Sequence, residues 1–375
     1  MATFYAAFFA FSGILMPYLP VWLEAKGLDA HEIGIVLAVP MLIRVVAVPF
    51  ATRLVDRRFV HKTALTVVAV LSTVGYAAMG TAFGFPAIVA AYVAISIVYS
   101  PVLPLADSYG LRGLNARGLA YGPVRLWGSV AFVLANIAGG VFLTALGAAD
   151  LIWVLTAAMA ATAAATLLLP RTPDGAGIAS KIHAVDGLWG SSLFVTVVVG
   201  ASLIQATHAV MYGFVTLQWK DRGLDGTAIG LLWAVGVVAE ILLFAASRRV
   251  IARIGAINMV LLGGCGAILR WTAMAFEAPA ALLPLLQCLH ALSFGATHLG
   301  AMHVLARLTD RGGGAAAQGD FSALQGVTFA VAMGLSGVLV ERLGSYAYLA
   351  MSLAAALGSV IAFAGRRAWR EVDRV

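Results

Sequence analysis

Charged side chains are scarce in this chain of 375 residues. Asp, Glu, Lys and Arg make up 11% of it, whereas hydrophobic residues make up 62%. A typical soluble domain carries about 25% charged residues. The composition therefore excludes an ordinary soluble enzyme. It also argues against a nucleic-acid partner, which the net charge of +7 would otherwise suggest.

Cysteine and nucleotide-binding motifs are also nearly or wholly missing. The two cysteines, Cys265 and Cys288, lie inside apolar runs, so we expect small core residues rather than a disulfide or a metal site. No Gly-x-x-x-x-Gly-Lys phosphate loop occurs, which argues against ATP-driven pumping. The sequence becomes apolar at Phe4 without a basic leader, so we expect the first helix to stay as a membrane anchor.

The apolar runs are long enough to span a membrane as helices. A span needs about 20 residues, so the chain has room for about a dozen. Sheet-like alternation is absent, and the runs are too long for barrel strands. The sequence therefore predicts an all-α integral membrane protein with 12 transmembrane helices. We expect them near residues 4–23, 32–53, 63–83, 86–107, 123–146, 150–169, 190–217, 227–249, 255–276, 279–303, 319–340 and 345–365.

Residues 27–39 recur 196 positions later, at 223–235, with seven of thirteen residues identical. The same register places Arg44 opposite Glu240, both inside apolar helices. A repeat of about half the chain is typical of transporters built from two tandem bundles around a shared site. The predicted parts are an N-terminal six-helix bundle (1–169), a cytoplasmic linker (170–189), a C-terminal six-helix bundle (190–366) and a cytoplasmic tail (367–375).

Basic residues are unevenly distributed between the two ends of the predicted spans. Seventeen of the 24 Lys and Arg lie on one side, and only Lys26, Lys220, Arg222 and Arg342 lie on the other. Because cytoplasmic loops carry an excess of Lys and Arg, we expect both termini in the cytoplasm and the protein in the cytoplasmic (inner) membrane. An even number of spans requires the same arrangement of the termini.

Several ionisable side chains lie within the predicted spans. A charged group at a helix centre costs about 2.5–3.5 kcal/mol, so such groups usually face a cavity or one another. Structural alternatives remain open: a pair near helix ends, a buried ion pair, or a core histidine. Three arginines against two acids favour an anionic substrate, because arginine binds carboxylates in a fork geometry. The substrate-binding candidates are Arg44, Arg125, Arg270, His208, His290 and the aromatic Trp127, which could instead face lipid; the proton-coupling candidates are Asp107, Glu240 and His290.

Twelve helices in two tandem halves resemble the major facilitator superfamily. Residues 121–129 (Tyr-Gly-Pro-Val-Arg-Leu-Trp-Gly-Ser) are similar to a stretch of its lactose-permease and phenylpropionate-permease branch. There, an arginine facing the central cavity pairs with a carboxylate late in span 4, which implies these roles for Arg125 and Asp107. Residues 289–298 resemble span 10 of the phenylpropionate permeases, and residues 253–270 resemble the run that leads to a buried arginine in span 9.

The chain also departs from this family at two places. The family loop between spans 2 and 3 carries two glycines, which Thr52 and Phe59 replace here. Asp56 and Arg57 remain, and the resemblance implies that they form a conformational latch. The lactose permease carries a proton-bearing glutamate one turn after the histidine of span 10, where this chain has Ser293. Proton coupling would therefore fall to the three candidates given above.

We hypothesise secondary active uptake of a small organic acid, with an aromatic carboxylate as the expected substrate. The proton would be the coupling ion, with no other cofactor, and we expect a monomer that contacts only its substrate and the lipid bilayer. A proton-coupled transporter of a neutral sugar or nucleoside, or an exporter of drugs or metabolites, would use the same scaffold. A remote alternative is an intramembrane metalloenzyme using His290, His298 and His303, but none of these pairs has the i,i+3 or i,i+4 spacing of two ligands on one helix.

Overall fold

The computed structural model describes residues 1–58, 61–115, 117–170, 188–309 and 314–372, and the side chains of 56–58, 115, 314–315 and 370–372 also lie outside the description. All regular structure in these ranges is helical. The sixteen α-helices are α1 (Ala2–Ala25), α2 (Ala30–Arg58), α3 (His61–Gly80), α4 (Phe85–Tyr99), α5 (Val102–Asn115), α6 (Tyr121–Leu146), α7 (Leu151–Leu167), α8 (Ser192–Ala206), α9 (Ala209–Asp221), α10 (Gly226–Ile254), α11 (Ala256–Ala275), α12 (Leu283–Cys288), α13 (Thr297–Leu308), α14 (Gly314–Leu343), α15 (Ala347–Ala364) and α16 (Arg366–Val372).

The described residues contain eleven helical segments that are long and apolar enough to cross a membrane. One of them, residues 316–364, is 49 residues long and includes a 3-10 turn at Gly344–Tyr346. At about 1.5 Å per residue it would be more than twice as long as the roughly 30 Å hydrocarbon core is thick. It therefore supplies two spans, α14 and α15. The prediction of an all-α protein with about twelve spanning helices is confirmed.

The sequence repeat is a repeat of local structure. Gly27 and Gly223 both adopt positive φ, at +86° and +82°. Two residues later, the side chains of Asp29 and Asp225 cap α2 and α10, each accepting a hydrogen bond from the backbone N–H three residues ahead, at 2.8 and 2.7 Å. A left-handed glycine followed by an Asp cap is a turn that starts a helix abruptly. Both halves use it at the same place.

Three spans are interrupted in mid-course. Pro101 separates α4 from α5, and Thr207 and His208 separate α8 from α9. Between α12 and α13 lies a π-helical segment, Ala291–Ala296. Side chains satisfy backbone groups at the second break, where Thr207 Oγ1 donates to Ile204 O at 2.6 Å. Interrupted helices and π segments concentrate at functional sites in membrane proteins, and two of these breaks adjoin His208 and His290.

The chain divides into two compact units. Unit 1 comprises Met1–Ile178 and Tyr212–Ala234, and unit 2 comprises Ala179–Met211 and Val235–Val375. The bundles predicted from the repeat, 1–169 and 190–366, stay a prediction. Residues 171–187 of the predicted linker lie outside the described residues.

The segment 212–234 belongs to unit 1 through close backbone packing. A Cβ atom on Gly140 of α6 would overlap the carbonyl oxygen of Gly226. An exposed ion pair also joins Lys220 Nζ to Glu24 Oε2 at 3.1 Å, across the repeat offset of 196 residues. Because exposed pairs contribute only about 0–1 kcal/mol, the glycine contact is the stronger constraint.

Both cysteines are free and exposed, so the expectation of core positions is wrong. An apolar run in a spanning helix does not distinguish a residue that faces lipid from one that faces the core, because lipid tails are as apolar as the protein interior.

Candidate functional site

A network of polar side chains lies inside unit 2, with Arg270 of α11 at its centre. No part of Arg270 is exposed. Its guanidinium donates hydrogen bonds to Gln287 Oε1 at 2.6 Å and to Ser293 Oγ at 3.3 Å. It also contacts Met211 Sδ at 3.0 Å and lies 4.8 Å from the centre of the Trp271 ring. Arg270 is therefore engaged on several sides by neutral groups of its own unit.

Glu240 of α10 enters this network through a histidine. Its Oε2 lies 3.3 Å from His290 Nε2, and the two side chains are only 16% and 8% exposed. The other ring nitrogen, His290 Nδ1, lies 3.3 Å from Arg270 Nη1. The imidazole thus stands between a carboxyl group and a guanidinium. A carboxyl group and an imidazole can each bind and release a proton, so this pair can do proton chemistry within a span.

His208 joins the same network at the break between α8 and α9. Its Nε2 lies 3.0 Å from Ser293 Oγ, and its Nδ1 lies 3.0 Å from Gln205 O. Ser293 therefore links His208 to Arg270. The π-helical segment carries both Ser293 and Phe294, whose ring stacks on His290 with 5.3 Å between the ring centres. The structure brings the predicted residues Arg270, His208, His290 and Glu240 together.

The second centre lies in unit 1 and holds Asp107 of α5. Its Oδ1 accepts hydrogen bonds from two phenols, Tyr5 Oη at 2.8 Å and Tyr121 Oη at 2.7 Å. The two hydroxyl groups are 3.3 Å apart. Tyr5 is fully buried, whereas Asp107 and Tyr121 are half-buried. Two hydroxyl donors give the Asp107 carboxyl group hydrogen-bond partners, so it does not depend on a cation for them.

Arg125 lies one helical turn after Tyr121 and is half-buried. Its guanidinium carbon is 3.9 Å from the centre of the Phe9 ring and 5.4 Å from that of Tyr5. Within the described part of the chain, no residue accepts a hydrogen bond from this guanidinium and no ion pair joins it to Asp107. The ion pair implied by the resemblance is thus absent here: two phenols bind Oδ1 of Asp107, and the guanidinium lies against an aromatic ring.

Two other predicted residues join neither centre. Arg44 has an exposed side chain on α2 and lies within electrostatic range of Tyr99. Trp127 is 58% exposed, and it lies about 200° around α6 from Arg125 at about 100° per residue. Their substrate contacts stay a prediction. So does the latch of Asp56 and Arg57, whose side chains lie outside the described residues.

Several residues of both centres are not among those predicted from the sequence. Gln287 had a usable signal, because it is a polar residue in an apolar span one turn before His290. Tyr5 and Phe9 had none, since aromatic residues are common in spanning helices. Within the described ranges, no three His, Cys, Asp or Glu side chains are placed to bind a metal ion, so the metalloenzyme alternative gains no support.

Known proteins are similar to this chain in sequence or in fold. Residues 1–350 match the model of the MFS_1 like family. A relative from Escherichia coli (strain K12), named as a probable 3-phenylpropionic acid transporter, is 30% identical over 374 residues, which cover 95% of this chain and 94% of that one. A maltose permease from Geobacillus stearothermophilus is 30% identical over 282 residues, 74% of this chain and 70% of the permease. The crystal structure of the nucleoside transporter NupG matches with a TM-score of 0.85 at 17% identity, covering 98% of this chain and 97% of that one.

The helical fold and the polar centres within its spans define a multi-pass membrane transporter of small molecules. The chain belongs to the MFS_1 like family of the major facilitator superfamily, as its resemblance to that superfamily predicted. Its relatives are secondary transporters and not enzymes.

Proposed function

We propose that this protein imports a small aromatic carboxylate together with a proton. The observation that carries this proposal is the state of Arg125, which is half-buried on an aromatic face with no hydrogen-bond acceptor among the described residues. Transport would follow alternating access in the cytoplasmic membrane, with both termini in the cytoplasm and a single chain as the working unit.

Arg125 is suited to bind an anion. A guanidinium that contacts a ring through its carbon can still donate two parallel N–H hydrogen bonds to one carboxylate. Phe9 holds the group by its face and takes none of those donors. Gly128, also on α6, lets both groups pack close to the helix, since a Cβ there would lie 2.7 Å from Phe9 Cδ2 and 3.1 Å from Arg125 Nη1.

The rings beside Arg125 favour an aromatic substrate over an aliphatic one. The Phe9 and Tyr5 ring centres lie 3.9 and 5.4 Å from the Arg125 guanidinium carbon, and the Phe8 and Phe9 rings meet edge to face at 5.4 Å. Aromatic groups pack well against such rings. The relative named as a probable 3-phenylpropionic acid transporter supports the same substrate class.

Glu240 and His290 are the pair to which we assign proton coupling. Glu240 is little exposed, and its nearest basic partner is the imidazole at 3.3 Å. Binding a proton on Glu240 removes the negative charge that faces His290, and releasing it restores that charge. Since a carboxylate and a proton enter together, no net charge would cross with the substrate. Asp107 is the alternative proton carrier, held by two phenols instead of a base.

A neutral substrate is the second candidate, because a maltose permease is equally similar in percentage identity over a shorter part of the chain. The charges within the spans would then serve coupling alone. Arg125 favours the acid, since a sugar would leave the guanidinium charge without an anionic partner in a partly buried site. Export in exchange for protons would use the same residues with the opposite direction of net flux.

Proton uptake by proteoliposomes in weak buffer tests the proposal. Adding 3-phenylpropionate should produce a pH change, whereas 3-phenylpropanamide, maltose and a nucleoside should not. Arg125→Ala should abolish both the solute flux and the pH change. Arg125→Lys keeps the positive charge but cannot form two parallel hydrogen bonds, so it should keep only part of the flux. Glu240→Gln should abolish the pH change and keep exchange of external for internal acid. Full transport by Arg125→Ala would overturn the anion site, and a proton signal lost in Asp107→Asn but kept in Glu240→Gln would move the proton to Asp107.

A further inference from the structure

Tyr5 and Tyr121 both bind Asp107 and both lie near Arg125, the two charged groups of the unit 1 centre. Tyr5 donates to Asp107 Oδ1 at 2.8 Å through its hydroxyl, and its ring lies 5.4 Å from the Arg125 guanidinium. Tyr121 donates to the same oxygen at 2.7 Å and precedes Arg125 by four residues on α6. One tyrosine thus contacts both charged groups, and the other binds the carboxyl group from one turn away.

An ion pair between Asp107 and Arg125 is the obvious competing arrangement. Residues four apart on a helix have Cβ atoms about 5–6 Å from each other, so the Arg125 side chain starts close to the phenol that binds Asp107. Arginine is long and flexible enough to turn from a ring face towards a carboxylate. In this structure two phenols fill Oδ1 of Asp107, and Phe9 holds the guanidinium 3.9 Å from its ring centre.

The choice between the two arrangements decides what Arg125 can bind. A guanidinium already paired with Asp107 has its charge compensated and its fork occupied. A carboxylate ligand would then have to displace Asp107 and leave that acid without its cation. With Oδ1 of Asp107 bound by two hydroxyl groups, the positive charge of Arg125 remains for the ligand.

We infer that Tyr5 and Tyr121 are positioning residues that keep Asp107 from pairing with Arg125 and so reserve Arg125 for an anionic substrate. This inference rests on the proposed function for its ligand but concerns two residues to which that proposal gives no role. It makes the phenol pair a determinant of selectivity for acids over neutral solutes.

Ligand binding to purified full-length protein in detergent tests the inference. The probe is 3-phenylpropionate, and the variants are Tyr5→Phe with Tyr121→Phe, and the same pair with Asp107→Asn. The double variant should bind about tenfold more weakly, as expected for competition from a partly buried ion pair. The triple variant should regain most of the affinity, because an amide cannot compete for the guanidinium. Tyr18→Phe is the matched control, since it removes a buried phenol of α1 whose hydrogen bond goes to a backbone carbonyl, Asn136 O.

A second measurement does not depend on the ligand. Phenylglyoxal modifies accessible guanidinium groups, and peptide mass spectrometry reports the labelling of Arg125 itself. Labelling should fall severalfold in the double variant and return in the triple variant. Equal labelling and equal affinity in wild type and double variant would overturn the inference, as would a double variant that Asp107→Asn does not rescue. A wild type that binds no carboxylate but shows the expected labelling pattern would overturn the proposed function and leave the positioning role supported.

Discussion

Arg125 in unit 1 and Arg270 in unit 2 both lie against aromatic rings, Phe9 at 3.9 Å and Trp271 at 4.8 Å. Arg270 is fully buried, and its fork donates to side chains of its own unit. Arg125 is half-buried, and Asp107, the acid that the resemblance pairs with it, is bound by two phenols. A buried guanidinium with internal acceptors stabilises the fold and fixes its neighbours. A guanidinium with no acceptor among the described residues is suited to a ligand.

The same contrast separates the two acids. Asp107 accepts hydrogen bonds from neutral hydroxyl groups, whereas Glu240 faces an imidazole that itself contacts Arg270. Proton movement on Glu240 changes the charge next to His290 and, through it, next to Arg270. In the proposed function, the substrate therefore binds in unit 1 and the coupling proton binds in unit 2.

The largest expected difference between the two arginines is in the effect of replacing each by methionine on stability and on transport. Arg270→Met leaves the acceptors on Gln287 and Ser293 without their donor and should lower the melting temperature by about 5 °C or more, since removing one member of a buried polar group costs several kcal/mol. Arg125→Met should melt within about 2 °C of the wild type, because its guanidinium supports little internal structure, and should transport nothing.

Thermal unfolding in detergent and uptake into proteoliposomes, measured on the same preparations, check both halves of this prediction. A stable Arg270→Met together with an unstable Arg125→Met would contradict the prediction, because it would make Arg125 the arginine that stabilises the fold.

The large features of the fold follow from the sequence, and the partners of the charged groups do not. Apolar run length predicts the spans, and the repeat predicts that Asp29 and Asp225 begin equivalent helices. The Tyr5–Asp107 contact joins residues 102 positions apart, and whether a phenol or an arginine meets the carboxyl group depends on side-chain packing. Hydrophobic periodicity does not predict which of the two side chains binds the carboxyl group. The family resemblance therefore led to the expectation of an Asp107–Arg125 ion pair.

The unit 2 network was closer to what the sequence predicts. Arg270, His208, His290 and Glu240 are each conspicuous because a polar residue in an apolar span is costly and needs a partner. That cost predicts that each of them has a polar partner but does not say which one. The sequence did not indicate that Ser293 would join His208 to Arg270, because serine is tolerated almost anywhere in a spanning helix.

A smaller effect should come from crowding the Arg125 site without changing any charge. Gly128→Ala adds a methyl group 2.7 Å from Phe9 Cδ2 and 3.1 Å from Arg125 Nη1, so one of the two must shift. Gly122→Ala on the same helix meets nothing within 4 Å and is the matched control. Alanine favours helix over glycine by about 1 kcal/mol, so neither change should harm α6.

Gly128→Ala should raise the KM for 3-phenylpropionate about fivefold, the size of a misplaced contact in a binding pocket, and Gly122→Ala should leave it near the wild-type value. Initial rates of uptake over a range of concentrations measure both. Equal KM values in the two variants would place the substrate away from Phe9 and Arg125.

The smallest effect is expected at Trp127, which the sequence offered as a stacking partner for the substrate. The residue is 58% exposed and lies about 200° around α6 from Arg125, so a ligand held by Arg125 and Phe9 is on the other side of the helix. Trp127→Leu should therefore change the KM for 3-phenylpropionate by less than about twofold, the range of an exposed substitution outside the site. Loss of a ring stacked on the substrate would instead cost about 0.5–1.5 kcal/mol or more. A KM raised tenfold would therefore identify Trp127 as a substrate contact, and the ligand would have to extend around α6.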